Sequence, residues 1–85
     1  MEEKEIGNVI SFFAKISVAA IEITQGELQT EDTIHIKGHT TDFQQTVGSM
    51  QIENESVSVA KAGDSIGIKV KERVRGNDIV YKVVE

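Results

Sequence analysis

The sequence predicts an all-β domain, built as a small closed or nearly closed antiparallel barrel. Apolar and polar residues alternate in several short runs, which is the period of a half-buried strand, and no segment has the period of a helix. No proline interrupts these runs. About six such strands favour a barrel, because closure pairs the edges that an open sheet exposes. With 85 residues, the chain is expected to form one domain spanning residues 1–85.

The first two predicted strands are residues 6–13 and 16–23, since both segments are rich in β-branched and aromatic residues. The second segment ends in a predicted turn at residues 24–26. Its alternation is imperfect, because Val18 and Ile21 lie in opposite phases. A bulge, or burial on both faces, would explain the change.

The third strand is predicted at residues 32–37, with Ile34 and Ile36 directed inward. A longer fourth strand is expected at residues 41–52. Gly48 lies within it, at a point where a bulge could shift the register.

The fifth strand has the clearest alternation and follows a turn at Gly63 and Asp64. Glycine at such a turn supplies backbone freedom that other residues lack. The predicted inward residues of this strand are Ile66, Ile68 and Val70, and the outward ones are Gly67 and Lys69. A further turn at residues 75–78 leads into the sixth predicted strand, residues 79–84.

The net charge of -5 disfavours a protein that coats nucleic acid through its overall field. Six of the nine basic residues nevertheless lie in residues 60–85. If the fifth strand continues far enough, Lys69, Lys71, Arg73 and Arg75 share one face and form a basic stripe roughly 20 Å long. This stripe is the predicted RNA contact. The alternative is a solvated outer face, and no aromatic residues that could stack on bases are interleaved with it.

Ordered short motifs in residues 6–70 resemble the second-domain β-barrel of translational GTPases of the elongation factor Tu and initiation factor two type. They are Ile-Gly-Asn-Val at 6–9, Gly-Glu-Leu at 26–28, Asp-Thr-Ile-His-Ile-Lys-Gly at 32–38, Thr-Val-Gly-Ser-Met-Gln-Ile at 46–52 and Ala-Gly-Asp-Ser-Ile-Gly-Ile at 62–68. The resemblance implies a Greek-key barrel of about six strands. It also implies a binding module that contacts transfer RNA or the ribosome beside a GTPase domain.

The chain departs from that family in one decisive respect. It has no Gly-x-x-x-x-Gly-Lys-Ser/Thr loop, so it is expected to bind no nucleotide alone and to hydrolyse no GTP. No transfer-RNA pocket residue can be placed on a specific position. The resemblance therefore implies a free-standing translation elongation factor-like protein.

His35, His39 and Asp42 are the candidate metal ligands, because their spacing resembles that of a ligand set. A strand and its turn do not bring them together automatically, and a metal needs three or four ligands. The sequence therefore favours exposed histidines and no metal site.

Phe12 and Phe13 point to opposite faces of a regular strand. Burial of both is favoured, and the alternative is one exposed ring that anchors a partner protein or stacks on a base.

The chain is predicted not to be an enzyme and to need no cofactor. Glu2, Glu3, Glu5, Glu53 and Glu55 lie in terminal or polar segments, whereas paired catalytic carboxylates need a cleft. No histidine and acid accompany a glycine-flanked nucleophile. Cysteine is absent and no segment is apolar enough to span a membrane, so a cytoplasmic location is expected.

Two functions are favoured by the sequence, and a third, the regulatory domain of an enzyme acting in trans, also stays open. The first is a translation-related binding module that contacts RNA or the ribosome through the basic stripe. The second is a protein-interaction or scaffold barrel with no role in RNA binding. The expected partners are accordingly the ribosome, transfer RNA or another protein, and no membrane. A steep dependence of RNA affinity on salt would distinguish the two.

Overall fold

Alternating apolar residues form strands along most of the chain. The computed structural model describes residues 2–53 and 55–84. Within them the strands are β1 Glu2–Phe13, β2 Val18–Ile23, β3 Glu27–Gln29, β4 Thr33–Lys37, β5 Asp42–Thr46, β6 Met50–Ile52, β7 Glu55–Val57, β8 Val59–Lys61, β9 Ser65–Lys69 and β10 Ile79–Val84. No helix in the described residues is long and apolar enough to cross a membrane.

The strands form two antiparallel sheets. The larger sheet has eight strands in the order β5-β4-β10-β1-β2-β9-β6-β7, and the smaller pairs β3 with β8. The prediction of an all-β antiparallel domain is therefore confirmed. A closed barrel is not found, because among the described strands β5 and β7 end the larger sheet without a strand partner on their outer side.

β1 is the central and longest strand, and two bulges bend it. Its pairing with β10 shifts between Glu5 and Gly7, and its pairing with β2 shifts between Val9 and Ser11. An extra residue on one strand bends that strand and increases its twist. The irregularity that the sequence suggested for the second strand therefore lies in the first.

A single apolar core lies on one face of the curved sheet. Ile66, Ile68 and Val70 are at most 4% exposed, which confirms the inward phase predicted for the fifth strand. Ile34 and Ile36 are also buried. The other core residues are Ile6, Val9, Ala19, Ile21, Ile23, Leu28, Phe43, Val47, Met50, Ala60, Val74 and Val80.

The predicted fourth strand is wrong as a continuous element. Residues 47–49 leave the sheet, and the segment divides into β5 and β6. Three strands, β3, β7 and β8, were absent from the prediction. Each has three residues, which is too short for an alternating pattern to be recognised.

Among the described residues the Gly63-Asp64 turn occurs in three copies, and in each copy the aspartate lies directly before the first residue of a strand. In every copy a residue with positive φ precedes an aspartate: Glu31 before Asp32, Gly63 before Asp64 and Asn77 before Asp78. In every copy the aspartate Oδ2 accepts a hydrogen bond from the backbone N–H three residues earlier, at 2.8 to 2.9 Å. The carboxylate thereby fixes the turn that directs the chain into β4, β9 or β10.

We expect Glu31→Gly to raise the free energy of unfolding by about 0.5–1 kcal/mol, because Glu31 holds a φ of 76° that favours glycine. Its side chain is exposed, so little packing is lost. Denaturant unfolding measures the change. The reciprocal variant Gly63→Ala, at a φ of 98°, should lower stability by about 1 kcal/mol. A loss of stability in Glu31→Gly would contradict this account of the turn.

Candidate functional site

An apolar groove lies beside the turn that joins β1 to β2. We name it the hairpin groove, and it has a volume of about 320 Å³. Its lining residues are Phe13, Ile16, Val18, Ala20, Gln51, Glu53, Ser65, Ile66 and Gly67. Ile16 is 60% exposed and Phe13 is 51% exposed. Burial of both phenylalanines, which the sequence favoured, is therefore wrong for Phe13, whereas Phe12 packs partly against the core.

The hairpin groove is deep at its centre because the residues that form its floor have small side chains or none. Ala20 of β2 pairs with Gly67 of β9, and Gly67 pairs in turn with Gln51 of β6. A Cβ on Gly67 would contact only the Val18 side chain, at 3.4 Å. The absence of a side chain at Gly67 therefore leaves room above the sheet, with the hairpin residues forming a wall at one end.

A second polar feature spans β1, β4 and β5. We name Glu3, His35 and Asp42 the histidine clamp. His35 Nδ1 lies 2.9 Å from both carboxylate oxygens of Glu3. His35 Nε2 contacts Asp42 Oδ1 on the other side of the ring. The imidazole is only 13% exposed, and when both of its nitrogens are protonated it donates one hydrogen bond to each acid.

The histidine clamp does not have the geometry of a metal site. Glu3 and Asp42 approach different nitrogens of His35, so the carboxylates do not converge on one point with a free nitrogen. His39, the third residue of the predicted ligand set, is exposed in the loop after β4 and is not among the partners of His35. Within residues 2–53 and 55–84, no group of three candidate ligands could hold a metal ion.

The histidine clamp makes the stability of the domain depend on pH. The hydrogen bond to Asp42 is the main cause that raises the pKa of His35 above its ordinary value of 6.5; burial opposes it, and Glu3 adds to it. The bond to His35 lowers the pKa of Asp42 below 3.8. Stability from His35 is therefore fully present below pH 6.5 and is lost as the pH rises through the raised pKa. Stability from Asp42 is present above pH 3.8 and is lost in more acidic solution.

We expect His35→Gln to be more destabilising at pH 5.5 than at pH 8.5, because only the charged imidazole donates to both acids. Urea unfolding of both proteins at the two pH values measures the difference. His39→Gln is the matched control, since His39 lies outside the histidine clamp. If His35→Gln destabilises the protein equally at both pH values, the charge on His35 contributes nothing to the free energy of unfolding.

The predicted basic stripe does not continue as a strand. β9 ends at Lys69, and Val74 is buried within the irregular segment that follows. The four basic residues, Lys69, Lys71, Arg73 and Arg75, are all exposed, but they do not share one straight strand face. Strand geometry therefore gives no 20 Å row of charges.

The side chain of Gln45 joins β5 to the end of β9. Its Nε2 donates to the Lys69 carbonyl oxygen, and its Oε1 accepts from the Lys71 N–H, both at 2.9 Å. The amide thus imitates a backbone pair between two segments that are distant in the sheet order. The Lys71 ammonium also lies 6.0 Å from the centre of the Phe43 ring.

Comparisons with known proteins direct attention to peptidases. No family model matches the chain. It is 44% identical over 82 residues, 95% of its length, to a Methanocaldococcus jannaschii protein named as an uncharacterized protease, of which it covers 20%. It is 40% identical over 78 residues, 91% of its length, to a Porphyromonas gingivalis collagenase, of which it covers 22%. The chain therefore spans about a fifth of the length of these curated relatives.

The fold matches solved domains as well. The C-terminal domain of a Geobacillus thermoleovorans protein, proposed to be a U32 peptidase, superposes with a TM-score of 0.87 at 15% identity. The match covers 95% of this chain and 93% of that one. The selenomethionine variant of the same domain gives a TM-score of 0.85 at 15% identity, over 91% of this chain and 96% of that chain. At this identity the likeness establishes the fold.

The predicted kinship with translational GTPases is wrong. The relatives are named as a protease and collagenases, and the solved domains come from a protein proposed to be a U32 peptidase. The predicted translation-related binding module rested on that resemblance and is overturned with it. The expected partners, and an RNA contact by the four basic residues, are tested by none of these findings and stay predictions. A single domain at residues 1–85, no cofactor, and a cytoplasmic location stay predictions.

Proposed function

We propose that this chain is a non-catalytic accessory domain of a U32-type peptidase and that it works beside a peptidase body. The observation that carries the proposal is the extent of the match. The identity of 44% extends over 95% of this chain but involves only 20% of the Methanocaldococcus relative. A segment of that size corresponds to one domain of a longer protein. The unmatched four-fifths of the relative is long enough to contain a separate catalytic domain.

The chemistry of the described residues supports a non-catalytic role. Both nitrogens of His35 are occupied by carboxylates, so this ring is not free to serve a serine or threonine as base. Asp78, one of two buried polar residues in the part of the chain that the structure describes, accepts a hydrogen bond from the Arg75 N–H and stabilises a turn. The lining of the hairpin groove is mostly apolar or small, with Gln51 as an uncharged polar residue and Glu53 as the one charged residue among the described ones. Such a surface suits binding better than proton transfer.

We further propose that the larger sheet closes into a barrel through Gln45. Its side-chain amide already makes the two hydrogen bonds that a paired strand would make to Lys69 and Lys71. A closed sheet would hold the β1–β2 hairpin rigidly and leave one fewer edge for aggregation.

A domain exchange tests the proposed function. The segment of the Porphyromonas collagenase that matches this chain is replaced by the chain itself, and collagen cleavage is measured beside the unmodified collagenase and the isolated chain. We expect the exchanged protein to keep a rate within about tenfold of the parent and the isolated chain to cleave nothing. An unrelated β-domain of similar length serves as the control insertion and should abolish cleavage.

Two outcomes would contradict the proposal. Cleavage by the isolated chain would show that it carries a catalytic site. A folded exchanged protein that no longer cleaves collagen would show that the chain does not replace the accessory domain. Circular dichroism and thermal unfolding establish whether the exchanged protein is folded.

A further inference from the structure

We infer that the hairpin groove is the face that docks on the peptidase body, by receiving an apolar side chain from it. This inference rests on the proposed function, because it requires a peptidase body beside the domain. It names the surface and the chemistry of the contact, which the proposed function alone does not supply.

Exposed apolar side chains are concentrated at this hairpin. Among the described residues, the large hydrophobic side chains that are exposed are Ile10, Phe13, Ile16 and Val59, and the first three lie on β1 or in the turn that follows it. Phe13 and Ile16 both line the hairpin groove. A patch of this kind at one end of a small domain is typical of a surface that another protein covers.

The shape of the hairpin groove indicates what it receives. Ala20 and Gly67 form a floor without large side chains, and Phe13 and Ile16 stand beside it. A volume of about 320 Å³ lies at the small end of the range of roughly 300–1,000 Å³ for binding pockets. The hairpin groove therefore fits one or two side chains. Most of its described lining residues are apolar or small, and only Gln51, Glu53 and Ser65 are polar, so the occupant is expected to be aliphatic or aromatic.

The occupant is assigned to the peptidase body because the relatives, named as a protease and a collagenase, are about five times as long as the matched segment and join it to further chain. The matched segment is 20% of the Methanocaldococcus protein and 22% of the Porphyromonas collagenase. A body joined to the domain by one polypeptide is present at a high effective concentration. Even a small apolar contact is then sufficient for stable docking, whereas a free ligand or a second copy would have to bind from dilute solution.

Hydrogen exchange tests this docking without relying on activity. Amide exchange in residues 13–18 is compared between the isolated chain and the exchanged collagenase described above. We expect these amides to exchange at least about tenfold more slowly in the exchanged protein, because the peptidase body covers them. Residues 59–61 of β8, which lie outside the hairpin groove, should exchange at the same rate in both proteins.

Two matched variants locate the contact. Ile16→Asp should remove the extra protection of the hairpin in the exchanged protein and leave unfolding of the isolated chain nearly unchanged, since Ile16 is 60% exposed. Val59→Asp makes the same chemical change at an exposed apolar position outside the hairpin groove and should leave the protection intact. If the exchanged protein does not fold, exchange is measured in the unmodified collagenase, in the segment aligned with residues 13–18.

The possible failures are distinguishable. If collagen is cleaved but the hairpin gains no protection, the docking inference is overturned and the proposed function stands. Protection of the isolated chain that rises with its own concentration would assign the hairpin groove to a second copy and overturn the inference. Protection that develops only after collagen is added would assign it to substrate, with the same consequence. A folded exchanged protein without cleavage overturns the proposed function itself.

Discussion

Gly7→Ala is expected to lower the free energy of unfolding by about 3 kcal/mol. Gly7 lies in β1 and pairs with Val80 on one side and Ile23 on the other. A Cβ at this position would overlap the backbone carbonyl oxygen of Glu22 and would lie 3.0 Å from its carbonyl carbon. These atoms belong to the paired backbone, so relief requires the strands to separate. For a domain of this length the expected total stability is about 4–13 kcal/mol, so the loss is a large fraction.

Thermal unfolding measures this effect, with a fall in Tm of roughly 12–24 °C expected for a loss of that size. Gly48→Ala is the matched control, because no atom lies within 4 Å of a Cβ at Gly48 and its φ is not positive. The control should be neutral or slightly stabilising. If both variants unfold at the temperature of the parent chain, the close approach of β1 and β2 at Gly7 is wrong.

Ile21→Ala is expected to cost about 3 kcal/mol through a cavity at the centre of the core. Ile21 is fully buried, and it pairs with Val9 of β1 and Ile66 of β9. These neighbours are held by backbone pairing on both sides of β2, so they can close only part of the space that the shortened side chain leaves. Chemical denaturation gives the change in the free energy of unfolding directly.

Ile16→Ala makes the same chemical change at a residue that is 60% exposed, and it should alter stability by less than about 0.5 kcal/mol. Comparing Ile21→Ala with Ile16→Ala therefore distinguishes an isoleucine that packs in the core from one that lies on the surface. A loss in Ile16→Ala as large as that in Ile21→Ala would mean that the hairpin is part of the folding core, and the case for a docking face would be lost.

The strands could be predicted where alternation is long enough to be recognised. The sixth predicted strand coincides with β10, and the predicted inward residues Ile34, Ile36, Ile66 and Ile68 are buried. Pattern alone could not find β3, β7 or β8, because three residues contain too few alternations. Nor could it locate the two bulges of β1, which depend on the register against β10 and β2.

The resemblance to translational GTPases failed for a reason that the turns explain. Its most informative part was the Gly63-Asp64 turn with the strand that follows. The same geometry recurs at Glu31-Asp32 and Asn77-Asp78, with the same carboxylate hydrogen bond. A residue with positive φ followed by aspartate therefore indicates a type of turn that leads into a strand, and unrelated β-proteins can share that turn. The motif indicated a β-domain correctly and gave no information about its partner.

The candidate site was only partly predictable from the sequence. Adjacent phenylalanines raised the alternative of an exposed anchor, but the exposure of Phe13 depends on where β1 ends and on the small residues across the sheet. The spacing of His35, His39 and Asp42 resembles that of a ligand set, but the structure brings only His35 and Asp42 together. Their contact depends on the pairing of β4 with β5, and the Glu3 contact depends on β1, 32 residues away in sequence. Only the folded sheet brings these groups together.

The central proposal is that this chain acts as an accessory domain beside the catalytic body of a U32-type peptidase. The most direct measurement is the rate of collagen cleavage by the Porphyromonas collagenase in which this chain replaces the matching segment. The predicted result is a folded protein with a rate within about tenfold of the parent, while the isolated chain is inactive and an unrelated β-domain does not substitute. A folded exchanged protein with no cleavage above background would contradict the claim.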